Sequence, residues 1–207
     1  MNKEKIKDVL KKLRENAKKR NFVQTVDLVI NLKNYDTKKP ENRINETVAL
    51  PHGKGKDSTV VIFSDEIKAR NGVKVLRSDD ITKLADNKRE AKRLIKSTDF
   101  FVAEPKLMPV IGKSLGQLLG PRGKMPSLIT SDADKTVETL KKSVRISVKD
   151  SPVVQCPVGR EDMADDEIAE NVEAVLKFLE KRLPKGKNNI SKVFIKLTMS
   201  KPIKVEF

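Results

Sequence analysis

Ile6, Val9, Leu10, Leu13 and Ala17 recur at helical spacing with lysines between them, so the chain opens with an amphipathic helix. The rhythm then shortens to two residues. In "NFVQTVDLVINLKNYD", Phe22, Val26, Leu28, Ile30 and Leu32 can share one face of a strand, while Thr25, Asp27, Asn31 and Lys33 point to the other. After a loop carrying "KKPENR", the stretch "NETVALPHGKGKDSTVVIF" holds two extended runs interrupted by Pro51, Gly53 and Gly55, which makes a hinge candidate. Short alternating units follow: the strand "STVVIF", a helical "SDEIKAR" ended by Asn71-Gly72, the strand "VKVL", and one long helix from Asp80 to Lys96. "DFFVAEP" is a further apolar strand, and Leu107, Val110, Ile111, Leu115, Leu118 and Leu119 lie on the next helix, which Gly120 is expected to end in a left-handed conformation. Strand and helix alternating over short connections predict a parallel sheet with covering helices. A helix in "DADKTVETLKKSV" and an extended pair in "RISVKDSPVVQCPVG" come next. "REDMADDEIAENVEAVLKFLEKRLP" then places Ile168, Val172, Val175, Leu176 and Leu179 on the buried stripe of a strong amphipathic helix.

Charge changes this picture most. The 207 residues carry 44 Lys and Arg against 29 Asp and Glu, a net +15, and a surface this positive attracts polyanions, of which nucleic acid is the most abundant inside cells. A membrane partner fits less well, because basic residues run along the whole chain and there is no Trp and one Tyr for an interfacial layer. No stretch approaches the roughly 20 apolar residues of a membrane span, and the charged start lacks the apolar core of a signal peptide. Aromatic residues are only 4% of the chain, which disfavours rows of stacking rings and favours recognition of backbone and shape. The one cysteine, Cys156, cannot pair within the chain and reads as a small apolar residue of a strand, in keeping with a reducing cytoplasm.

Candidate chemistry is sparse. "GQLLGPRGKMP" invites comparison with a phosphate-binding loop, yet Leu118 takes the leading glycine position and Met125 stands where Ser or Thr should hold magnesium. "IGKS" fails at Leu107, and "HGKGKDS" fails at Leu50 and Asp57. The turn therefore reads as a structural loop displaying Arg122 and Lys124. The dinucleotide fingerprint is missing, no triad context surrounds any serine, and the lone His52 sits in the glycine-rich segment, where it could cap a turn or touch phosphate. Glu161, Asp162, Asp165, Asp166 and Glu167 suit the positive start of a helix better than a metal, since the calcium-loop pattern is absent. No cofactor is expected. Two competing classes remain: a nucleotide-dependent enzyme on the central layers, separable by ATP or GTP binding, and a general nucleic-acid-packing protein, separable by its indifference to RNA structure.

Several stretches together resemble the ribosomal protein L-one family of the mobile stalk: "FVQTVDLVINL", "ALPHGKGK", "GQLLGPRGKMP", "KKSVRISVKDSPVVQCPVG" and "NNISKVFIKLTM", in the family's order and over nearly the entire chain. The short N-terminus looks like that of archaeal members. The resemblance implies a two-domain α/β protein: a split α+β first domain from both chain ends, 1–56 and 155–207, with an inserted Rossmann-like three-layer α/β second domain, 57–154. It also implies a cytoplasmic, ribosome-associated protein, monomeric when free, that binds large-subunit ribosomal RNA, assists release of spent transfer RNA from the exit site, and represses its own mRNA. Carried onto this sequence, the RNA-binding positions are Phe22, Thr25, Asp27, Ser191, Lys192, Lys196, Thr198, Met199 and Ser200. The Thr25 and Thr198 hydroxyls can reach ribose hydroxyls, Met199 can pack on a sugar or base, and Lys192 and Lys196 can neutralise phosphates. The plainer readings stand beside these: Phe22 in the core, Met199 as a gap filler, the lysines simply solvated. One departure is visible, since the family usually follows Thr-Met with Gly-Pro and this chain has "TMSKPIKV", with Ser200 replacing a glycine whose bare backbone permits close RNA approach.

Overall fold

The computed structural model of the chain describes residues 3–39, 42–67, 73–129 and 132–205. In chain order its elements are α1 (Lys3–Asn16), β1 (Thr25–Leu32), β2 (Ile44–Ala49), β3 (Val60–Phe63), β4 (Lys74–Leu76), α2 (Ser78–Asp86) and α3 (Lys88–Ser97). There follow β5 (Phe100–Ala103), α4 (Met108–Leu119), β6 (Ser127–Leu128), α5 (Ala133–Lys141) and β7 (Ser143–Val148). The chain closes with β8 (Val153–Arg160), α6 (Asp165–Arg182), β9 (Ile190–Leu197) and β10 (Ile203–Val205). The fold is mixed α/β, and it divides into two compact units, Met1–Asp57 with Lys142–Phe207, and Ser58–Lys141.

In the unit of chain ends, β10-β9-β1-β8 form one antiparallel sheet and β2 pairs antiparallel with β7 in a second. The alternation predicted for β1 holds for Val26, Leu28, Ile30 and Leu32, which are buried, while the intervening Thr25, Asp27, Val29 and Asn31 are half-exposed. α1 and α6 supply Ile6, Leu10, Leu13, Ile168, Val172, Val175 and Leu179 to the same core. Each such fully buried side chain is worth about 1.5–3 kcal/mol. Cys156 is buried in β8, and that burial pushes its thiol up to about 12. The acidic start of α6 serves the helix: the Ala164 N–H donates to Glu167 Oε2 at 3.3 Å, and Asp165 and Asp166 pair with Arg14 and Lys7 of α1.

Within Ser58–Lys141, β4-β3-β5-β6 form an all-parallel sheet. Its central strands "VVIF" and "FFVA" are buried throughout, as strands covered on both faces must be. Val61, Phe63, Phe101 and Ala103 meet Ile81, Ile95, Ile111 and Leu115 on one face, and Val60, Ile62, Phe100 and Val102 meet Val137 and Leu140 of α5 on the other.

Several expectations are corrected. Phe22 is not on the buried face of β1; it precedes the strand and is 52% exposed. The single helix expected over Asp80–Lys96 is two, because Asn87 closes α2 by giving its N–H to Lys83 O and opens α3 by accepting the Glu90 N–H on its side chain. Val110 faces outward on α4. Gly120 stays right-handed (φ −56) and the left-handed residue is Gly123 (φ 66), so the turn closes as a Schellman motif with Gly123 N–H on Gly120 O and Lys124 N–H on Leu119 O. Lys124 is not displayed either, since its Nζ donates to Ile95 O at 2.9 Å and to Thr98 O, capping the end of α3. The extended pair is β7 and β8, and each finds its partner elsewhere, β7 on β2 and β8 on β1. Through that β2–β7 pairing, residues 142–154 pack with the chain ends, whereas the inserted part was expected to run on to 154. The helix expected in "SDEIKAR" lies partly outside the described residues; over Ser64–Ile67 the Ser64 hydroxyl instead accepts the N–H groups of Glu66 and Ile67.

The glycine segment taken for a hinge is fastened to α6. The buried Asn171 donates to Gly53 O at 2.7 Å and to Val158 O at 2.8 Å, and accepts the His52 N–H at 3.1 Å. Gly53 and Gly55 both have positive φ, and a Cβ at Gly55 would strike Arg160 at 2.9 Å. His52 Nε2 lies 2.6 Å from Glu170 Oε2, and this contact, ahead of Lys3, holds the Glu170 carboxyl below its usual range.

Candidate nucleic-acid interface

The face of the large antiparallel sheet opposite the buried one carries a ladder of cross-strand pairs between β1 and β9. Asp27 stands opposite Lys196, Val29 opposite Phe194, and Asn31 opposite Lys192. On the other side of β1, Asp27 faces Pro157 and Val29 faces Gln155 of β8. A bulge lies beside Asp27: the register jumps so that Val158 is the extra residue, and both Val158 and Gly159 turn inward. Gly159 has no side chain to obstruct Ile168 of α6, whose Cγ1 would lie 3.0 Å from an added Cβ. Partial burial pushes the Asp27 carboxyl up, and the facing Lys196 ammonium opposes that shift.

At the end of this ladder the two chain termini are stitched together. The Thr25 N–H donates to Thr198 Oγ1 at 3.0 Å, the Thr198 N–H to Thr25 O at 3.1 Å, and the Thr198 hydroxyl itself to Thr25 O at 3.4 Å. Gln24, only 2% exposed, accepts the Met199 N–H on Oε1, gives its own N–H to Glu161 Oε2 at 3.3 Å, and accepts the Glu161 N–H on its carbonyl at 2.8 Å. The first of these hydrogen bonds ties down the Met199 backbone, and the Met199 side chain is 60% exposed, with Phe22 and Val23 also exposed at this end. Ser200 takes up a role no glycine could: its Oγ accepts the Leu197 N–H at 2.8 Å, and its φ is not positive, so the turn does not demand glycine here.

Of the sequence-predicted residues, Thr25, Asp27, Lys196, Thr198, Met199 and Ser200 come together at this end, with Phe22 just before it. Ser191 and Lys192 do not. Ser191 is the extra residue of a second bulge, opposite the Asn31–Leu32 step, and both residues are exposed at the far end of β9, roughly 20–23 Å from Thr198 at a strand's usual rise. Phe194, half-buried at the centre of the open face, was missed although the two-residue period of "ISKVFIKL" puts it in line with Lys192 and Lys196. Gln24 left no signal, because its partner Met199 is 175 residues away in sequence.

The geometry defines a class: a basic mixed α/β protein whose chain ends build an antiparallel sheet with polar, apolar and basic side chains on its less buried face, and with no metal-binding cluster among the described residues. Comparison with known proteins makes it particular. The family profile described as "Ribosomal protein L1p/L10e family" matches residues 10–201, and the chain belongs to this family, which is one of ribosomal proteins and not of enzymes. It is 44% identical to the large ribosomal subunit protein uL1 of Pyrococcus horikoshii over 210 residues, covering 98% of this chain and 96% of that one. The proteins of the same name from Thermococcus kodakarensis and Methanothermococcus thermolithotrophicus are 43% and 42% identical, the latter over the full length of both chains.

Proposed function

We propose that this protein is a constituent of the large ribosomal subunit, cytoplasmic and ribosome-associated, which binds the stalk segment of large-subunit ribosomal RNA through the end of the sheet around Thr25, Asp27, Lys196, Thr198 and Met199. One observation carries the reading. The Thr25–Thr198 clasp brings together an exposed methionine, a lysine and a threonine hydroxyl with no partner among the described residues, the mixture that ribose, base edge and phosphate require. Ser191 and Lys192 extend the contact along β9 to a second stretch of backbone. In this proposal the chain ends form an RNA-binding domain, and Ser58–Lys141 an inserted Rossmann-like domain, a reading supported by its parallel strand order and helices on both faces. Two further roles rest on the same surface: helping deacylated transfer RNA leave the exit site, and repressing translation by binding a stalk-like fold in its own mRNA. The free protein is monomeric.

The test is a competition at several salt concentrations between a stalk RNA segment, a random RNA of equal length and duplex DNA. The stalk segment is expected to win at every salt, with all affinities falling as salt rises through counterion release. Equal affinity for the three ligands would make the protein a general nucleic-acid binder instead.

A further inference from the structure

A groove of about 540 Å³ opens beside the proposed RNA surface, between the C-terminal end of α1 and the start of β10. Its volume lies within the ~300–1,000 Å³ usual for pockets that hold one small organic molecule. Leu13, Ala17 and Ile203 give it an apolar floor, and Met199 and Ser200 form the wall it shares with the patch described above. Lys18, Arg20 and Lys201 stand at its rim, all exposed, and none has a carboxylate partner among the described residues.

The Gln24 side chain adds a directional element. The Met199 N–H must face the carboxamide oxygen, which fixes the orientation of the amide and turns Nε2 the other way. Those two N–H groups have no acceptor among the described residues and are not sealed in the core, since Nε2 is not among the buried side-chain atoms left without a partner and Gln24 lines the groove. An amide donor opening on the groove is available to an acceptor bound there.

We infer that this groove receives a single unstacked nucleotide of the bound RNA: the base lies on the Leu13–Ala17–Ile203 floor, a ring or exocyclic oxygen or nitrogen accepts from Gln24 Nε2, and Arg20 with Lys18 or Lys201 holds the adjoining phosphate. This rests on the RNA-binding reading above and adds to it a pocket for one extruded base. An apolar floor takes the face of any base, an amide donor suits the acceptors on its edge, and unpartnered cations suit the phosphate. No aromatic ring lines the groove, so the base packs against aliphatic groups and is not stacked.

That absence supplies the readout. 2-Aminopurine, dark when stacked and bright when unstacked, is placed singly at each unpaired position of a stalk RNA segment and its fluorescence is followed as the full-length protein binds. One position is expected to brighten. Ala17→Phe, which fills the groove, and Arg20→Gln, on an exposed site that leaves folding alone, should each suppress that rise and weaken binding by about tenfold, the worth of one charge-assisted hydrogen bond. Binding with no bright position, or a rise undiminished by Arg20→Gln, overturns the groove while leaving the RNA-binding reading intact. Failure of the wild type to prefer the stalk segment over duplex DNA overturns both. AMP alone binding saturably at micromolar concentration would make the groove a site for free nucleotides and overturn the inference as well.

Discussion

Thr25 and Thr198 face each other at the end of the sheet, yet their hydroxyls do different work. That of Thr198 is spent on the Thr25 backbone, accepting one hydrogen bond and donating another, whereas the Thr25 hydroxyl has no partner among the described residues. Thr25→Val keeps the β-branched shape and should lower stalk-RNA affinity by about 1–2 kcal/mol, measured by filter binding, with no change in thermal stability. Thr198→Val should do the reverse first, lowering the unfolding free energy by about 1 kcal/mol because the Thr25 N–H loses its acceptor. Equal effects of the two substitutions on both measurements would contradict this division. The sequence offered both threonines as candidates but could not separate them, since which hydroxyl lacks a partner among the described residues depends on a strand pairing between residues 173 positions apart. Phe22 misled for a related reason: its parity matches the buried face of β1, but the strand begins only at Thr25, so parity has no meaning at Phe22.

Among the elements, the turn after α4 is the most instructive. Its glycines and lysine looked like a phosphate cradle or a displayed loop, and its actual office is internal. Gly123 permits the left-handed step, and Lys124 reaches back to the open carbonyls at the end of α3, where a positive charge also suits the helix dipole. Lys124→Ala should therefore lower the stability of Ser58–Lys141 by about 1–2 kcal/mol in a denaturant titration while leaving RNA affinity unchanged. A loss of RNA affinity without loss of stability would return Lys124 to the surface. The regular elements were legible wherever one periodicity ran unbroken: α1, β1, the apolar strands β3 and β5, and α6. Boundaries set by a single side chain were not, as at Asn87, whose cap splits a continuous apolar rhythm into two helices. The bulges at Val158 and Ser191 were equally invisible, because an extra residue declares itself only against the partner strand.

On the scale of the whole molecule, the account assigns RNA recognition to residues drawn from the two ends of the chain and leaves the intervening 58–141 without a direct share in it. The sequence indicated an inserted layered unit through its alternation of strands and helices, but the exit point was hidden: β7 reads like any strand, and only its pairing with β2 attaches it to the chain ends. The two crossings of the chain lie side by side, with Ser58 N–H on Lys141 O at 2.9 Å, so a short glycine linker can replace everything between them at little closure cost. The most direct test compares three proteins for affinity to one stalk RNA segment: the full chain, a shortened protein in which that linker joins Asp57 to Lys142, and the Ser58–Lys141 piece alone. The account predicts that the shortened protein, folded by circular dichroism, binds as tightly as the full chain and that the isolated piece does not bind. Specific binding by the piece, with none by the folded shortened protein, would contradict it.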